Sequence, residues 1–204
     1  MPSYKLTYFD IRGRAEVSRY ILAVAGVDYV DERFTEEEWP KIKPTVKNPF
    51  KQLPCLEIDG KVFIESLAIE NYLAATFGLH GNNNYEKYQI DMVSSAVTDL
   101  IEKYMIAAFE TDEKRREVSR NNYLKFLPVW LKATEAIFQS NKFEYLVCDR
   151  LTLADLQFFC GAEYLVDDDE HVFDNFPSLK VLFDRVANVK EIAEWRNKRP
   201  KRDY

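Results

Sequence analysis

The fold of the first part of the chain is decided by the stretch from Gln52 to Tyr72, which reads QLPCLEIDGKVFIESLAIENY. The dipeptide Asp59-Gly60 favours a two-residue type I′ turn, because both central positions of that turn need a positive φ. The flanking residues 55–58 and 62–64 have the apolar and β-branched content of short strands. Apolar residues at helical spacing begin after Ser66. The stretch therefore predicts the order proline, strand, turn, strand, helix.

Two positions in this stretch also suit a binding site. Pro54 lies directly before a strand, where a cis peptide bond turns the chain and leaves the backbone of the preceding residue free to pair with a ligand. Glu65-Ser66 lies at a strand-to-helix junction, where free N–H groups favour a carboxylate and the Glu suits an ammonium beside it. The alternative is an ordinary turn proline and an N-cap serine, and spacing alone leaves both interpretations open.

The residues before this stretch predict a strand, a helix and a second strand. Tyr4 to Phe9 has a strand pattern, a helical pattern runs from about Arg14 to a stop at Gly26, and Tyr29 to Phe34 has the next strand pattern. A short acidic helical turn follows and ends at Pro44. The first 78 residues therefore predict an α/β domain of βαβ-ββα order, with a mixed sheet and a right-handed parallel crossover.

The rest of the chain predicts a second, all-α domain. Residues 78–84 have the composition of a linker, and strand patterns are weak after them. Helical patterns cover 85–109, a segment ending near Phe138, a helix that starts from a capping box at Thr152 to Asp155, and the segments 177–187 and 189–197. We therefore predict two domains, residues 1–78 and residues 85–204.

Composition narrows the function classes. A net charge of −6 argues against broad nucleic-acid binding, and no apolar run approaches the roughly 18 residues of a membrane helix. The N-terminus has no signal-peptide pattern. The three cysteines have no metal-ligand spacing and indicate reduced thiols, so we expect a cytoplasmic protein. The five basic residues between Arg196 and Arg202 suit either a nucleic-acid patch or a solvated helix end, and the second is favoured.

The motifs together resemble the sigma class of cytosolic glutathione transferases, in the style of its molluscan members. That class also holds haematopoietic prostaglandin D synthase and the cephalopod lens S-crystallins. The resemblance covers essentially the whole chain. Its motifs are Tyr8 to Glu16, Glu38-Trp39-Pro40 with Lys43, Leu53 to Gly60, Ser66 to Ile69, Thr152 to Asp155, and Lys198-Arg199-Pro200.

The resemblance implies a thioredoxin-like N-terminal domain that binds glutathione and a helical-bundle C-terminal domain. Tyr8 matches the catalytic tyrosine, whose hydroxyl donates a hydrogen bond to the glutathione sulfur and favours the thiolate. Arg14 matches the arginine that supports the thiolate electrostatically. The alternatives are that Tyr8 is an aromatic core residue at a strand end and that Arg14 is a solvated charge near a helix start. The position of Tyr8 at the end of the first strand, directly before the loop that leads to Arg12-Gly13-Arg14, favours the catalytic interpretation.

The same resemblance implies a set of glutathione-binding residues. They are Tyr8, Trp39 and Lys43, Gln52, Leu53 and Pro54, Glu65 and Ser66, and Asp99 from the neighbouring subunit of a homodimer. Trp39 and Lys43 bind the glycine end, Leu53 pairs with the cysteinyl part, and Glu65 and Ser66 bind the γ-glutamyl end. Glutathione is a co-substrate here, and no cofactor is expected.

A mostly apolar second-substrate pocket is also expected, and it suits aryl halides or lipid-derived electrophiles. Its residues are Phe9, Ile11, Arg14, Tyr104, Met105 and Phe109. The implied function is conjugation of the glutathione thiolate to hydrophobic electrophiles. The alternative is a structural lens protein of S-crystallin type with little activity, and the 3 methionines of this chain are few for that group.

Several positions depart from the pattern of the class. Glu65 stands where most sigma members have Gln, and the usual Phe-Gly-Gln is Phe50-Lys51-Gln52 in this chain. Gln157 and Gly161 replace aromatic and thiol residues of the prostaglandin synthase pocket, which argues against prostaglandin isomerisation. Ser94 and Ser95 lie in the region of an aspartate cluster that is linked to magnesium in that synthase. This chain therefore has fewer carboxylates there, and no metal is expected.

Overall fold

The structure is a computed structural model that describes residues 2–201. This part of the chain forms two compact units. The first unit contains residues 2–79 together with residues 189–201, and the second contains His80–Asn188. The strands and helices of the first unit are β1 (Tyr4–Phe9), α1 (Glu16–Val24), β2 (Val30–Phe34), α2 (Trp39–Ile42), β3 (Cys55–Ile58), β4 (Lys61–Ile64), α3 (Ser66–Thr76) and α8 (Lys190–Lys198).

The sheet of the first unit has the strand order β2-β1-β3-β4. Strand β1 runs parallel to β2 and antiparallel to β3, and β3 and β4 form an antiparallel hairpin. Thr7 of β1 is opposite Cys55 of β3, so Tyr8 and Pro54 follow at the same end of the sheet. The predicted βαβ-ββα order with a parallel crossover is confirmed.

The hairpin turn has the backbone geometry that its residues require. Asp59 has φ 48° and Gly60 has φ 81°, and both values belong to the left-handed region that a type I′ turn uses. The peptide bond between Leu53 and Pro54 is cis, which is one of the two interpretations that the sequence left open. The chain therefore enters β3 from a turn whose preceding backbone lies beside the end of β1.

The last helix lies in the first compact unit. The sequence predicts one helical domain over residues 85–204; in the structure α8 packs on α1, and residues 189–201 group with the first unit. Arg199, at the end of α8, donates to the carboxylate of Glu16 and to the hydroxyl of Tyr20. The interpretation of this basic end as a solvated turn is therefore wrong for Arg199.

The second unit is a bundle built around one buried helix. Its helices are α4 (Asn84–Phe109), α5 (Glu113–Ser140), α6 (Leu153–Asp168) and α7 (Pro177–Ala187). Every residue of α6 from Leu153 to Leu165 is buried, so α6 is the central helix of this unit. The capping box that starts α6 is also present, with the carboxylate of Asp155 accepting hydrogen bonds from the backbone N–H and the hydroxyl of Thr152.

Asp155 joins this helix to the segment before it. Its other carboxylate oxygen accepts a hydrogen bond from the backbone N–H of Leu146, 2.7 Å away. Burial raises the pKa of Asp155 to about 6, although the hydrogen bonds from Leu146 and Thr152 oppose that shift. One fully buried carboxyl group therefore satisfies two backbone N–H groups from separate segments.

Candidate active site

Tyr8 lies near the end of β1 with only 7% of its surface exposed. Its hydroxyl oxygen accepts a hydrogen bond from the backbone N–H of Arg14, 3.1 Å away. Since that bond uses an oxygen lone pair, the hydroxyl proton remains able to donate elsewhere. Burial raises the pKa of Tyr8 above 10.0, while the Arg14 N–H and the Arg14 and Arg19 charges partly oppose the rise. Tyr8 is therefore a neutral hydrogen-bond donor at physiological pH.

Gly13 has no side chain, and the Tyr8 ring occupies the space that a side chain there would fill. A Cβ atom at position 13 would lie 2.7 Å from both the hydroxyl oxygen and the Cε1 atom of Tyr8, closer than such contacts tolerate. Gly13 also has φ +45°, which side-chain-bearing residues rarely adopt. The loop between β1 and α1 can approach the tyrosine because position 13 has no side chain.

We expect Gly13→Ala to displace the Tyr8 hydroxyl and lower turnover in a glutathione conjugation assay by at least about tenfold, the scale of a misplaced catalytic group. The matched control is Gly26→Ala. Gly26 has φ +63°, but a Cβ there meets nothing within 4 Å. Both variants should lose about 1–3 kcal/mol of stability from the backbone conformation. Equal turnover in the two variants would contradict the steric role of Gly13.

A pocket beside Tyr8 gathers six of the predicted site residues. They come from the β1–α1 loop, the turn before β3 and the junction between β4 and α3. The residues are Arg14, Gln52, Leu53, Pro54, Glu65 and Ser66. Three further lining residues, Asn48, Phe50 and Ile64, are absent from the predicted set.

The junction at Glu65 has a strained backbone. Glu65 has φ 66° and ψ 113°, a conformation that costs of order 1–3 kcal/mol for a residue with a side chain. It is the N-cap of α3, and Ser66 is the first helical residue, so the interpretation of Ser66 as the N-cap is wrong. Such strain concentrates at ligand sites, and the first N–H groups of a helix favour an anion. The junction therefore suits a carboxylate.

Asn48 is the site residue that sequence reasoning missed most clearly. Its side chain is buried, and its amide nitrogen donates to the backbone carbonyl of Gln52 and contacts the Sγ atom of Cys55, each at 2.8 Å. Asn48 thereby fixes the turn that carries Leu53 and Pro54. A polar residue in a loop has no periodic pattern, so the sequence offered no signal for this role.

Trp39 begins α2, and Lys43 directly follows the last residue of that helix. The Trp39 ring stacks on Phe34 with ring centroids 5.9 Å apart, and it meets the Phe9 ring edge-on at 5.5 Å. The Lys43 ammonium lies 5.9 Å from the centroid of the Trp39 ring. Neither residue lines the pocket beside Tyr8, and their contact with glutathione stays a prediction.

The predicted residues on α4 do not share one face. Tyr104 is buried and donates to Asp168, and its ring packs near Tyr123 and Tyr164. Residues on a helix turn by about 100° each, so Met105 and Phe109 point roughly 100° and 140° away from Tyr104. Asp99 is exposed on the same helix. The structure therefore separates Tyr104 from Met105 and Phe109.

Phe9, Ile11 and Arg14, the other residues predicted for the second substrate, belong to the first unit.

Among residues 2–201, no group of three or more His, Cys, Asp or Glu side chains is arranged to hold a metal ion. No helix in that range is both long and apolar enough to cross a bilayer.

The four-stranded mixed sheet with its parallel crossover and its helices defines a thioredoxin-like domain, and comparisons with known proteins agree. Residues 4–75 match the family model for the glutathione S-transferase N-terminal domain, and residues 98–199 match a model for the C-terminal domain. The chain therefore belongs to the glutathione S-transferase family.

Individual relatives cover the whole length of the chain. Haematopoietic prostaglandin D synthase from Gallus gallus is 38% identical over 98% of each chain, and glutathione S-transferase 1 from Ascaris suum is 36% identical over 100% of each. S-crystallin 4 from Enteroctopus dofleini is 32% identical over 100% of each chain.

Solved structures agree in fold. A major nematode-specific glutathione transferase from C. elegans superimposes with a TM-score of 0.91 at 33% identity, over 100% of each chain. Rat haematopoietic prostaglandin D synthase in complex with a quinoline gives 0.90 at 32%, over 99% of this chain and 100% of that one.

Proposed function

We propose that this protein transfers the thiolate of glutathione to hydrophobic electrophiles, with Tyr8 as the hydrogen-bond donor that activates the thiol. The observation that carries the proposal is the hydrogen bond from the Arg14 N–H to the Tyr8 hydroxyl oxygen, at 3.1 Å. It holds the hydroxyl in place and leaves its proton for a sulfur atom. The raised pKa of Tyr8 keeps that proton on the oxygen at physiological pH.

Thiolate stabilisation of the required size is within reach of this arrangement. Each unit by which the thiol pKa falls needs about 1.4 kcal/mol of preferential stabilisation of the thiolate. A hydrogen bond to a charged group contributes roughly 1.5–3 kcal/mol. The exposed guanidinium of Arg14 lines the same pocket and adds a positive charge that favours the thiolate.

The remaining glutathione contacts are proposed from the chemistry of the pocket. Glu65 and Ser66, at the start of α3, suit the ammonium and carboxylate of the γ-glutamyl end. Leu53, held through Gln52 and Asn48, offers backbone groups to the cysteinyl part. Trp39 and Lys43 are proposed for the glycine carboxylate. Phe9, Ile11, Tyr104, Met105 and Phe109 remain the residues proposed for the second substrate, and Tyr104 lines a cavity of the second unit.

The direct test is a conjugation assay with purified protein, glutathione and a generic aryl halide. We expect saturable turnover well above the uncatalysed rate. The alternative function is that of a structural lens protein, because one of the relatives is an S-crystallin. Absence of turnover with several classes of electrophile would favour that alternative. A cytoplasmic role in detoxification is part of the proposal, and the three buried cysteine thiols suit a reducing environment.

We propose further that the protein is a homodimer in which Asp99 of one subunit reaches the γ-glutamyl ammonium bound by the other. Sedimentation should give about twice the chain mass of 24.0 kDa. Asp99→Asn should weaken glutathione binding in titration calorimetry by roughly 1–3 kcal/mol, because a charged hydrogen bond is lost. The dimer should persist, since one rim carboxylate contributes little to it.

Glu102→Gln is the control for Asp99→Asn, because it neutralises another exposed carboxylate on α4. Glutathione affinity should be unchanged in that variant. A fully active monomer would contradict both the dimer and the shared site. Normal binding by a dimeric Asp99→Asn protein would contradict the role of Asp99 alone.

A further inference from the structure

Arg19 is a fully buried cation directly behind the proposed catalytic tyrosine. Its Nη1 atom donates to the backbone carbonyls of Ile11 and Arg12, at 2.8 and 3.2 Å. Those residues belong to the loop whose next two members, Gly13 and Arg14, contact Tyr8. Arg19 therefore holds the β1–α1 loop in place by charge-assisted hydrogen bonds, which are stronger than those between neutral groups.

The same guanidinium also lies against the tyrosine itself. Its central carbon is 5.9 Å from the centroid of the Tyr8 ring, within the range of a cation–π contact. Arg19 thus touches both the ring that carries the hydroxyl and the loop that holds the hydroxyl oxygen. A change in the position of Arg19 moves both parts of the donor together.

Glu16 is one of two carboxylates that hold Arg19; the other is Asp31, whose Oδ1 atom accepts from the Arg19 Nε atom at 3.2 Å. The Glu16 carboxylate is 1% exposed, and its Oε2 atom accepts from Arg19 at 3.0 Å. Its Oε1 atom accepts from the indole N–H of Trp195 at 2.8 Å and from Arg199 at 2.9 Å. Burial raises the pKa of Glu16, but the charges of Arg19 and Arg199 and the Trp195 bond outweigh it, so the pKa lies below its ordinary value.

The buried Glu16 carboxylate is held by two cations, Arg19 and Arg199, so the loss of either one affects its position. A buried carboxylate that loses one of its cations is strongly disfavoured and moves toward other donors. Arg199 is the partner at the far end of the chain, and it also donates to the Tyr20 hydroxyl at 2.7 Å. Without Arg199, Glu16 keeps Arg19 as its only cationic partner among the described contacts. The attraction between Glu16 and Arg19 then changes, and the position of the Arg19 guanidinium changes with it.

We propose that Arg199 and Trp195, through Glu16 and Arg19, are positioning residues for the Tyr8 hydroxyl, so that the end of the chain adjusts thiol activation. None of the four is a catalytic residue, since each acts through the loop or the ring beside Tyr8. The inference rests on the proposed role of Tyr8.

The test is a double-mutant cycle between Arg199→Met and Tyr8→Phe, with turnover measured across pH. In the wild-type background, Arg199→Met should lower kcat by about three- to thirtyfold. It should also move the acidic midpoint of the pH–rate profile upward by about 0.5–1.5 pH units, because the thiol pKa rises. In the Tyr8→Phe background the same change should have almost no effect, since no hydroxyl remains to be positioned.

Three further variants complete the design. Lys190→Met removes a cation from the exposed start of the same helix and should leave turnover unchanged. Arg199→Lys keeps a cation near Glu16 and should recover most of the lost turnover. Trp195→Phe removes the N–H bond to Glu16 together with part of the buried ring. It should act in the same direction as Arg199→Met but less strongly, and it also serves if Arg199→Met does not fold.

The outcomes separate this inference from the proposed function. Unchanged turnover in Tyr8→Phe alone overturns the role of Tyr8 and the inference with it. A large loss in Tyr8→Phe, with an Arg199→Met effect that is absent or equal in both backgrounds, overturns only the positioning role. A loss of thermal stability without a shift in the pH profile overturns it as well, because it assigns Arg199 a purely structural role.

Discussion

Replacing Tyr8 by phenylalanine should lower kcat by about ten- to a thousandfold, with little change in stability or in glutathione affinity. The ring stays in place, so its packing against Phe9 and beneath the β1–α1 loop is kept. What is lost is one hydrogen-bond donor, whose interaction strengthens as the sulfur becomes an anion. A loss in kcat without a rise in the glutathione Kd is the signature of such a group.

The control is Tyr4→Phe, because Tyr4 lies on the same buried face of β1 and is 8% exposed. Turnover of Tyr4→Phe should match the wild type. Difference absorbance of the bound thiolate provides a second measurement, and the thiol pKa in Tyr8→Phe should rise. Normal turnover and a normal thiol pKa in Tyr8→Phe would remove Tyr8 from the mechanism.

Asp155→Ala should be the most destabilising of the substitutions considered. It leaves the backbone N–H groups of Leu146 and Thr152 buried without their acceptor. Each unsatisfied buried group costs about 1–3 kcal/mol, so the free energy of unfolding should fall by roughly 2–6 kcal/mol in urea denaturation. The control is Asp112→Ala, which removes an exposed N-cap at the start of α5 and should cost about 1 kcal/mol.

The effect of Asp155 should also depend on pH. Its folded-state pKa of about 6 lies above the ordinary 3.8, so the folded state binds the proton more tightly than the unfolded state does. Its contribution to stability is therefore greatest below pH 3.8 and decreases as the pH rises through about 6. The difference in unfolding free energy between wild type and Asp155→Ala should be larger at pH 5 than at pH 7, and the reverse order would contradict the raised pKa.

The parts of the fold that the sequence predicted well are those set by local chemistry. Asp59-Gly60 is one of few dipeptides that tolerate two positive φ values, so the hairpin and its two strands follow from it. The capping box at Thr152 is likewise a local pattern with one geometric outcome. The pocket around Leu53, Glu65 and Ser66 followed because the residues lie at the ends of these predicted elements.

The features that sequence reasoning missed depend on contacts between distant residues. Nothing near Arg199 in the sequence indicates that it binds Glu16. The helix on which Tyr104 lies was predicted correctly, but its rotation is set by packing against α5 and α6, which periodicity describes only coarsely. Glu65 was expected to contact the ligand, yet its positive φ is a product of the β4–α3 junction and has no signature in residue type.

The docking of α8 on α1 has a consequence for synthesis on the ribosome. Glu16 and Arg199 are 183 positions apart, so at about 5–20 residues per second roughly 10–40 s separate their translation. During that interval the nascent chain holds a carboxylate whose Trp195 and Arg199 partners do not yet exist. The second unit, residues 80–188, is one contiguous segment, so its folding does not depend on a segment that is translated later. The unit that contains the first residues of the chain therefore cannot be completed until residues 189–201 have also been made.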